Sequence, residues 1–246
     1  EIRDPLKNFL STEELNQLKG LNVSRTFQIS HLSERDWLNF AEKFTYDTNA
    51  IEGSTITYTE VKDIIERRKW PKYSSKEEVS ETYGVVEAIS LIRTTKEHIS
   101  VRLIKEIHRI AFKNSKPFAG KLRQKGIEVG VVDSQGTVLH RGAPSTKVVS
   151  LLNELIGWYN KNKKRYPPLV LAVVIHNQFE EIHPFQDGNG RVGRLLLNNI
   201  LIKHNLPPVN IRLKSRQQYY AALQEYHKKG NIRPMIELIL KEYKRG

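Results

Sequence analysis

The chain has 246 residues, 39% of them apolar and 27% charged, with a net charge of +13. This length suits one large domain or one domain with a small addition, and the composition is that of an ordinary soluble fold, which excludes a fibrous or disordered chain. No run of about eighteen apolar residues excludes a transmembrane helix, and the absence of cysteine excludes disulfides, thiolate catalysis and cysteine-ligated zinc.

The charge is unevenly placed. Residues 1–60 carry 10 acidic and 6 basic side chains, and the rest carry 17 and 34. The basic body would suit a nucleic acid, a membrane surface or a polyphosphate. The acidic N-terminal quarter is its electrostatic complement and is expected to pack on it.

Taken in order, the elements are mostly helical. Ser11-Thr-Glu-Glu14 has capping-box spacing and opens a short helix. Ser33 starts a second, carrying Trp37, Phe40 and Phe44. Thr57-Tyr-Thr-Glu60 opens a third, stopped by Trp70-Pro71. Ser75 and Ser100 precede two more, with apolar residues at Val85, Val86, Ile89 and Ile92 and at Leu103, Ile104, Ile107 and Ile110.

The period then changes from helix to strand. Ile127, Val129 and Val131 alternate with small or polar residues, Asp133–Gly136 reads as a turn, and Val138 and His140 follow, which predicts a hairpin. Helical spacing returns from Val148 to Trp158 and ends at the charged run 161–165. Pro167 and Pro168 start the next helix, and Leu169–Ile182 is apolar on several faces, so this helix must be central and buried. An apolar helix through Val192–Ile202 follows a glycine-rich turn, Pro207-Pro208 breaks the chain, and helices near 216–228 and 234–243 close it. The expected fold is all-α with one inserted β-hairpin.

The turn between the two most apolar helices carries chemistry. In Asp187-Gly-Asn-Gly-Arg191, two glycines let the backbone bend and leave its N–H groups open at a helix N-terminus, an anion nest. Arg191 and Arg194 lie three apart, and guanidinium forks suit phosphate oxygens. Asp187 offers a hard oxygen ligand for Mg²⁺, and His183 is suited to act as general base toward a hydroxyl. Pro184 ends the preceding helix, and Phe185 is expected to anchor the loop in the core. With neither a preceding strand nor a suitably placed lysine, this is not a nucleotide P-loop or a dinucleotide fingerprint.

His183-Pro-Phe-Gln-Asp-Gly-Asn-Gly-Arg191 followed by Arg194 resembles the signature of the Fic domain family. The likeness extends to Phe118–Arg123 and Arg141-Gly-Ala-Pro144, which resemble the segments that lead into and close the family's flap, and to Pro207-Pro208 and Tyr219–Leu223, covering about residues 40–230. The resemblance implies a Mg²⁺-dependent protein adenylyltransferase that moves AMP from ATP to a Ser, Thr or Tyr hydroxyl, itself included. It implies His183 as base and Asp187 as Mg²⁺ ligand. Gly188, Asn189, Gly190, Arg191 and Arg194 would hold the phosphates. Gly190 stands where a phosphate-transferring branch has lysine, which favours AMP. Ile127, Glu128, Val129, Gly130, Val131 and Val132 would be the edge that aligns a target by strand addition.

Thr48-Asn-Ala-Ile-Glu52-Gly53 resembles the family's inhibitory motif, in the branch where it precedes the catalytic one. This implies that Glu52 pairs with Arg194 and occupies the place of the γ-phosphate. The expected organisation is a helical extension over 1–40, a Fic catalytic domain over 41–230 with its inhibitory segment at 48–53 and flap at 126–140, and a C-terminal helix over 231–246. The rival functions are a phosphotransferase or AMP removal on the same scaffold, and a basic nucleic-acid-binding module; no nucleic-acid partner is expected. His108 and His176 read as packing residues, and Tyr219 and Tyr220 stay open between an adenine contact and a core contact. The chain begins at Glu1 and its one methionine is Met235, so a natural start upstream is expected, with cytoplasmic placement and homodimerisation as further expectations.

Overall fold

The computed structural model describes residues 10–20, 29–132 and 136–244. Within them the chain forms α1 (Thr12–Gly20), α2 (Glu34–Ile51), α3 (Tyr58–Arg67), α4 (Lys76–Thr94) and α5 (Val101–Phe112). A hairpin of β1 (Gly130–Val132) and β2 (Val138–Arg141) follows, then α6 (Val148–Asn162), α7 (Pro168–Ile182), α8 (Asn189–Lys203), α9 (Arg216–Lys229) and α10 (Arg233–Tyr243). The all-α fold with one antiparallel hairpin is the one expected.

Local chemistry explains where the helices begin. Ser33 accepts from Asp36 N–H while the Asp36 carboxylate accepts from Ser33 N–H, and Thr57 and Glu60 repeat the exchange. Such caps satisfy N–H groups that a helix start leaves open, at about 1 kcal/mol each. Ser75 and Ser100 cap α4 and α5. Glu78, three residues after Ser75, does not complete a capping box. Its Oε1 accepts instead from Thr55 N (2.6 Å), Thr55 Oγ1 (3.0 Å) and Ser54 Oγ (3.2 Å), which ties down the chain just after Glu52.

α7 is the central element. Its residues are buried on every side, from Pro168 through Glu180, and it packs most extensively on α8. α6, α9 and α10 also pack on α7, and α5 packs on α8. A satellite cluster of Ile56, Val61, Ile64 and Val79 fixes α3 against the rest and so fixes the exit from α2. No described helix is long and apolar enough to cross a membrane.

Two details differ from expectation, and a third expectation falls outside the described residues. Strand pairing over 127–132 is limited to Gly130–Val132, because Ile127 and Glu128 are engaged locally. Ile127 O accepts from Arg123 Nη1 (2.9 Å), and the Glu128 carboxylate accepts from Ser145 Oγ (3.0 Å). The expected boundary at residue 40 falls inside α2, one unbroken helix from Glu34 to Ile51. Most of the turn expected at 133–136 lies outside the described residues, as do positions 1–9.

Candidate active site

α7 ends at His183, whose backbone is left-handed (φ 52°, ψ 62°). A non-glycine residue rarely takes that conformation, and such strain gathers at functional sites. It turns the chain away from α7 and sends the His183 ring into a cavity of about 260 Å³. Glu52, Val131, Asp187, Gly190, Arg194 and Tyr219 are among the other residues lining it.

His183 Nδ1 lies 3.3 Å from Glu180 O. A carbonyl only accepts, so Nδ1 carries the proton in a neutral ring and Nε2 keeps a lone pair. Burial, reinforced by the neighbouring His140, pushes the His183 pKa down to about 4, so the ring is neutral near pH 7. Arg123 secures this corner. Its buried guanidinium donates to His183 O (2.8 Å), Ile182 O (3.2 Å), Ile127 O (2.9 Å) and Ala143 O, joining the base of the hairpin to the end of α7. Gly142 leaves room for the His183 Cβ, which a side chain at 142 would meet.

The turn after His183 is held from inside. Phe185 is fully buried and stacks on His108 at 3.8 Å between ring centroids. His108 Nδ1 accepts from Gly120 N (2.8 Å), so its Nε2–H donates to Asp187 O (3.0 Å). Burial pushes its pKa down to about 4, consistent with this neutral form. Asn189 accepts from Phe185 N and donates to Phe185 O, both at 2.8 Å. Gly188 has φ 80° and lies against the Phe112 ring, where a Cβ would collide. The N-terminus of α8 has no side-chain cap, and its first-turn N–H groups have no intrahelical acceptor, so they remain available to an anion.

The Asp187 carboxylate accepts from Gly188 N (2.6 Å) and from Lys116 Nζ (2.9 Å). Burial alone would raise its pKa, but Arg191, Lys116 and the Gly188 N–H outweigh this and hold it below the ordinary carboxylate value. An ionised, half-exposed oxygen pair beside an open helix N-terminus is a donor set that would suit a hard cation.

The two arginines part ways. Arg194 is 2% exposed, lines the cavity, and donates to Thr48 Oγ1 (2.8 Å), Thr48 O (3.1 Å), Tyr219 Oη (3.3 Å) and Glu52 Oε1 (2.5 Å). Arg191 turns from the cavity: it pairs with Glu81, lies 3.5 Å from Asn49 Oδ1 and covers the Phe112 ring at 4.4 Å. The side chains of Arg191 and Asn189, expected to hold phosphate, thus brace the α8 start. Glu52 stands directly over Gly190, where any Cβ would collide with its carboxylate.

Glu180 and Lys116 carried no mark in the linear pattern, and Arg123 and Tyr219 were marked there without a settled role. Glu180 is 2% exposed, lines the cavity, has Oε1 without a partner, and is pushed up to about 8 by burial, so it is largely protonated near pH 7. Lys116 binds Asp187 and Glu77, and Arg123 binds four carbonyls. Tyr219 sits between Arg194 and His176 (3.0 Å to Nε2) and also lines the cavity, so the core and the site share it. The hairpin contributes Val129, Gly130 and Val131 to the wall; Ile127 and Glu128 lie off it.

Residues 98–201 match the sequence profile of the Fic/DOC family. The chain belongs to the Fic/DOC family. It is 34% identical over 200 residues to the protein adenylyltransferase Fic of Nematostella vectensis, covering 79% of this chain and 45% of that protein. It is 32% identical over 205 residues to the protein adenylyltransferase fic-1 of Caenorhabditis briggsae, covering 80% and 39%. The solved structure of Fic-1 residues 134–508 from C. elegans superposes with a TM-score of 0.77 at 28% identity, over 93% of this chain and 67% of that one. The chain spans less than half the length of the curated relatives it matches.

Proposed function

We propose that this Fic domain transfers AMP from ATP to a hydroxyl of a protein side chain, and that Glu52 holds it at low activity. The observation that carries the reading is the shared cavity. A neutral histidine, an ionised carboxylate, an uncapped helix N-terminus and a buried arginine all meet there. The named relatives are protein adenylyltransferases, which supports the same reaction class for this chain.

His183 Nε2 takes the proton of a Ser, Thr or Tyr hydroxyl, and that oxygen forms a bond to the α-phosphorus of ATP. The bond from the α-phosphorus to the bridging oxygen breaks, and pyrophosphate leaves. The first-turn N–H groups of α8 and Arg194 position and neutralise the phosphates, the main task in phosphoryl chemistry. Mg²⁺, held by Asp187 together with phosphate oxygens, would supply charge neutralisation on the chain of phosphates. The cavity-facing edge of Gly130–Val131 aligns the target backbone by strand addition.

Glu52 occupies Arg194 from within the cavity, so a γ-phosphate and Glu52 compete for one guanidinium. ATP then binds with its α-phosphate out of line. The absence of a side chain at Gly190 admits Glu52, and a glycine in the place where the phosphate-transferring branch of the family has lysine supports AMP as the group moved. The branch is therefore the one with an inhibitory helix before the catalytic motif, and α2 is that helix.

The test is incubation of the wild type and Glu52→Gly with ATP and Mg²⁺, read by mass spectrometry of the chain and of added proteins. The variant is expected to gain AMP at least about 10-fold faster, a loss of one charge-assisted hydrogen bond being worth about 1.5–3 kcal/mol. A folded Glu52→Gly no faster than wild type would remove the inhibitory assignment, and addition of phosphate mass in place of AMP would remove the transfer assignment.

A further inference from the structure

Beside the catalytic cavity, three residues from three elements converge: His140 at the end of β2, Glu181 in the last turn of α7, and His227 on α9. Each offers a donor atom, and these atoms all lie within 4.8 Å of one another. The cluster has no part in the transfer reaction described above. We propose that His140, Glu181 and His227 bind one divalent transition-metal ion of the zinc class and that this ion fastens the hairpin to α7 and α9.

The independent observation is His140 itself. It is 6% exposed, and its Nε2–H donates to Glu180 O (3.1 Å). That bond fixes the tautomer and leaves a lone pair on Nδ1, which is buried with no hydrogen-bond partner. A buried imidazole with one nitrogen on a backbone carbonyl and the other bare is the arrangement of a metal-binding histidine with its outer partner in place.

The donor set selects the ion. Two imidazoles and one carboxylate make a three-ligand zinc site whose fourth position goes to water. Imidazole suits zinc, copper and nickel, whereas Mg²⁺ prefers oxygen donors and stays with Asp187. Zinc bonds of about 2.0–2.1 Å hold donors within about 4 Å of one another, so the cluster, whose donors lie within 4.8 Å, closes slightly around the ion although Glu181 and His227 already stand 2.9 Å apart. The closing movement falls to the two partly exposed members, with side chains 37% (His227) and 24% (Glu181) exposed. His227 now stacks on His140 at 4.6 Å between centroids and holds Glu181 at 2.9 Å. Rotation of its side chain out of the stack is the movement that would let a His227 nitrogen, already beside the Glu181 oxygen, also face His140 Nδ1.

The position gives the ion a consequence. Glu181 is two residues from His183, and β2 pairs with the strand that lines the cavity. A metal here would hold β2 on the end of α7 and stiffen the target-aligning edge.

The test uses the untagged chain, stripped with chelator and held in excess Mg²⁺ so that hard-cation sites are filled. Zinc binding is followed by calorimetry, Co²⁺ binding by visible absorption, and the hairpin by amide exchange over 138–141. The expected result is one equivalent of zinc, an intense tetrahedral Co²⁺ band and slower exchange in β2. His227→Ala and His227→Gln, each checked to melt like wild type without metal, are expected to bind at least about 10-fold more weakly. No uptake by the wild type, or unchanged affinity in both folded variants, would overturn the proposal. None of these readings depends on AMP transfer.

Discussion

The turn from His183 to Gly190 and the hairpin from Gly130 to Arg141 face the same cavity and are held in opposite ways. The turn joins the two most buried helices. Phe185, Asn189 and His108 fix it from beneath, and Glu52 occupies Arg194 beside it. The hairpin has three residues in one strand and four in the other, with a register shift between Val131 and Val132 and Val138 exposed. It is tied down chiefly at its base, through Arg123 and through Gly142 N to Val129 O (2.8 Å). Reacting groups gain from rigid support, because a small misplacement costs rate, whereas an edge that receives varied targets gains from give.

The sharpest way to break this comparison is at His183. His183→Ala is expected to lower AMP transfer by at least about 1000-fold while ATP binding, followed by calorimetry, stays within a few-fold. Because the ring is neutral above about pH 4, wild-type transfer should show no histidine limb near pH 6.5, and its acid limb should lie near 4. A limb at 6.5 would show that His183 titrates as if exposed.

Next in size is the support of the turn. Asn189→Ala leaves Phe185 N and O, both in a buried segment, without partners. Transfer should fall by about 100-fold and ATP affinity should weaken with it, since the α8 start would no longer be pinned. Loss of transfer with unchanged ATP affinity would show that Asn189 acts on the target instead.

The hairpin should respond more gently and more selectively. Val131→Pro removes an N–H and restricts the strand. Transfer to a protein target should drop by about 10-fold through KM, with ATP affinity unchanged. A variant that loses ATP affinity would place the hairpin among the nucleotide contacts.

The smallest effect concerns Glu180, whose backbone oxygen serves both regions by accepting from His140 and His183. Its carboxyl is raised to about 8 by burial, so the folded state keeps a proton that the unfolded state loses above about 4.5. Its contribution to stability is therefore present below 4.5 and lost as pH rises toward 8. Glu180→Gln removes that dependence and should gain on the order of 1 kcal/mol relative to wild type between pH 5 and pH 8, read by denaturant melts. The histidines act in the opposite sense. His108, His176 and His183 are pushed down to between about 3 and 4, so they withdraw stability as pH falls from 6.5 toward 4.

Whatever acts over a turn or two of chain is legible in the order of residues. Ser33, Thr57 and Ser100 announce helix starts because a cap is a contact three residues long. The apolar stretch 169–182 announces a central helix because no face of it could meet water. The run 183–194 announces an anion site because base, carboxylate and glycines are neighbours in the chain. Which groups reach the cavity is a matter of packing between segments far apart in the chain. Arg191 and Arg194 look alike in sequence, yet Glu81, 110 residues away, draws one aside, and Glu52, 142 residues away, meets the other in the cavity. The protonated Glu180, the tie that Arg123 makes between the hairpin base and α7, and the meeting of His140 with His227 also depend on burial and on distant partners. Local pattern records what a residue can do, and desolvation and long-range neighbours choose which of those things it does.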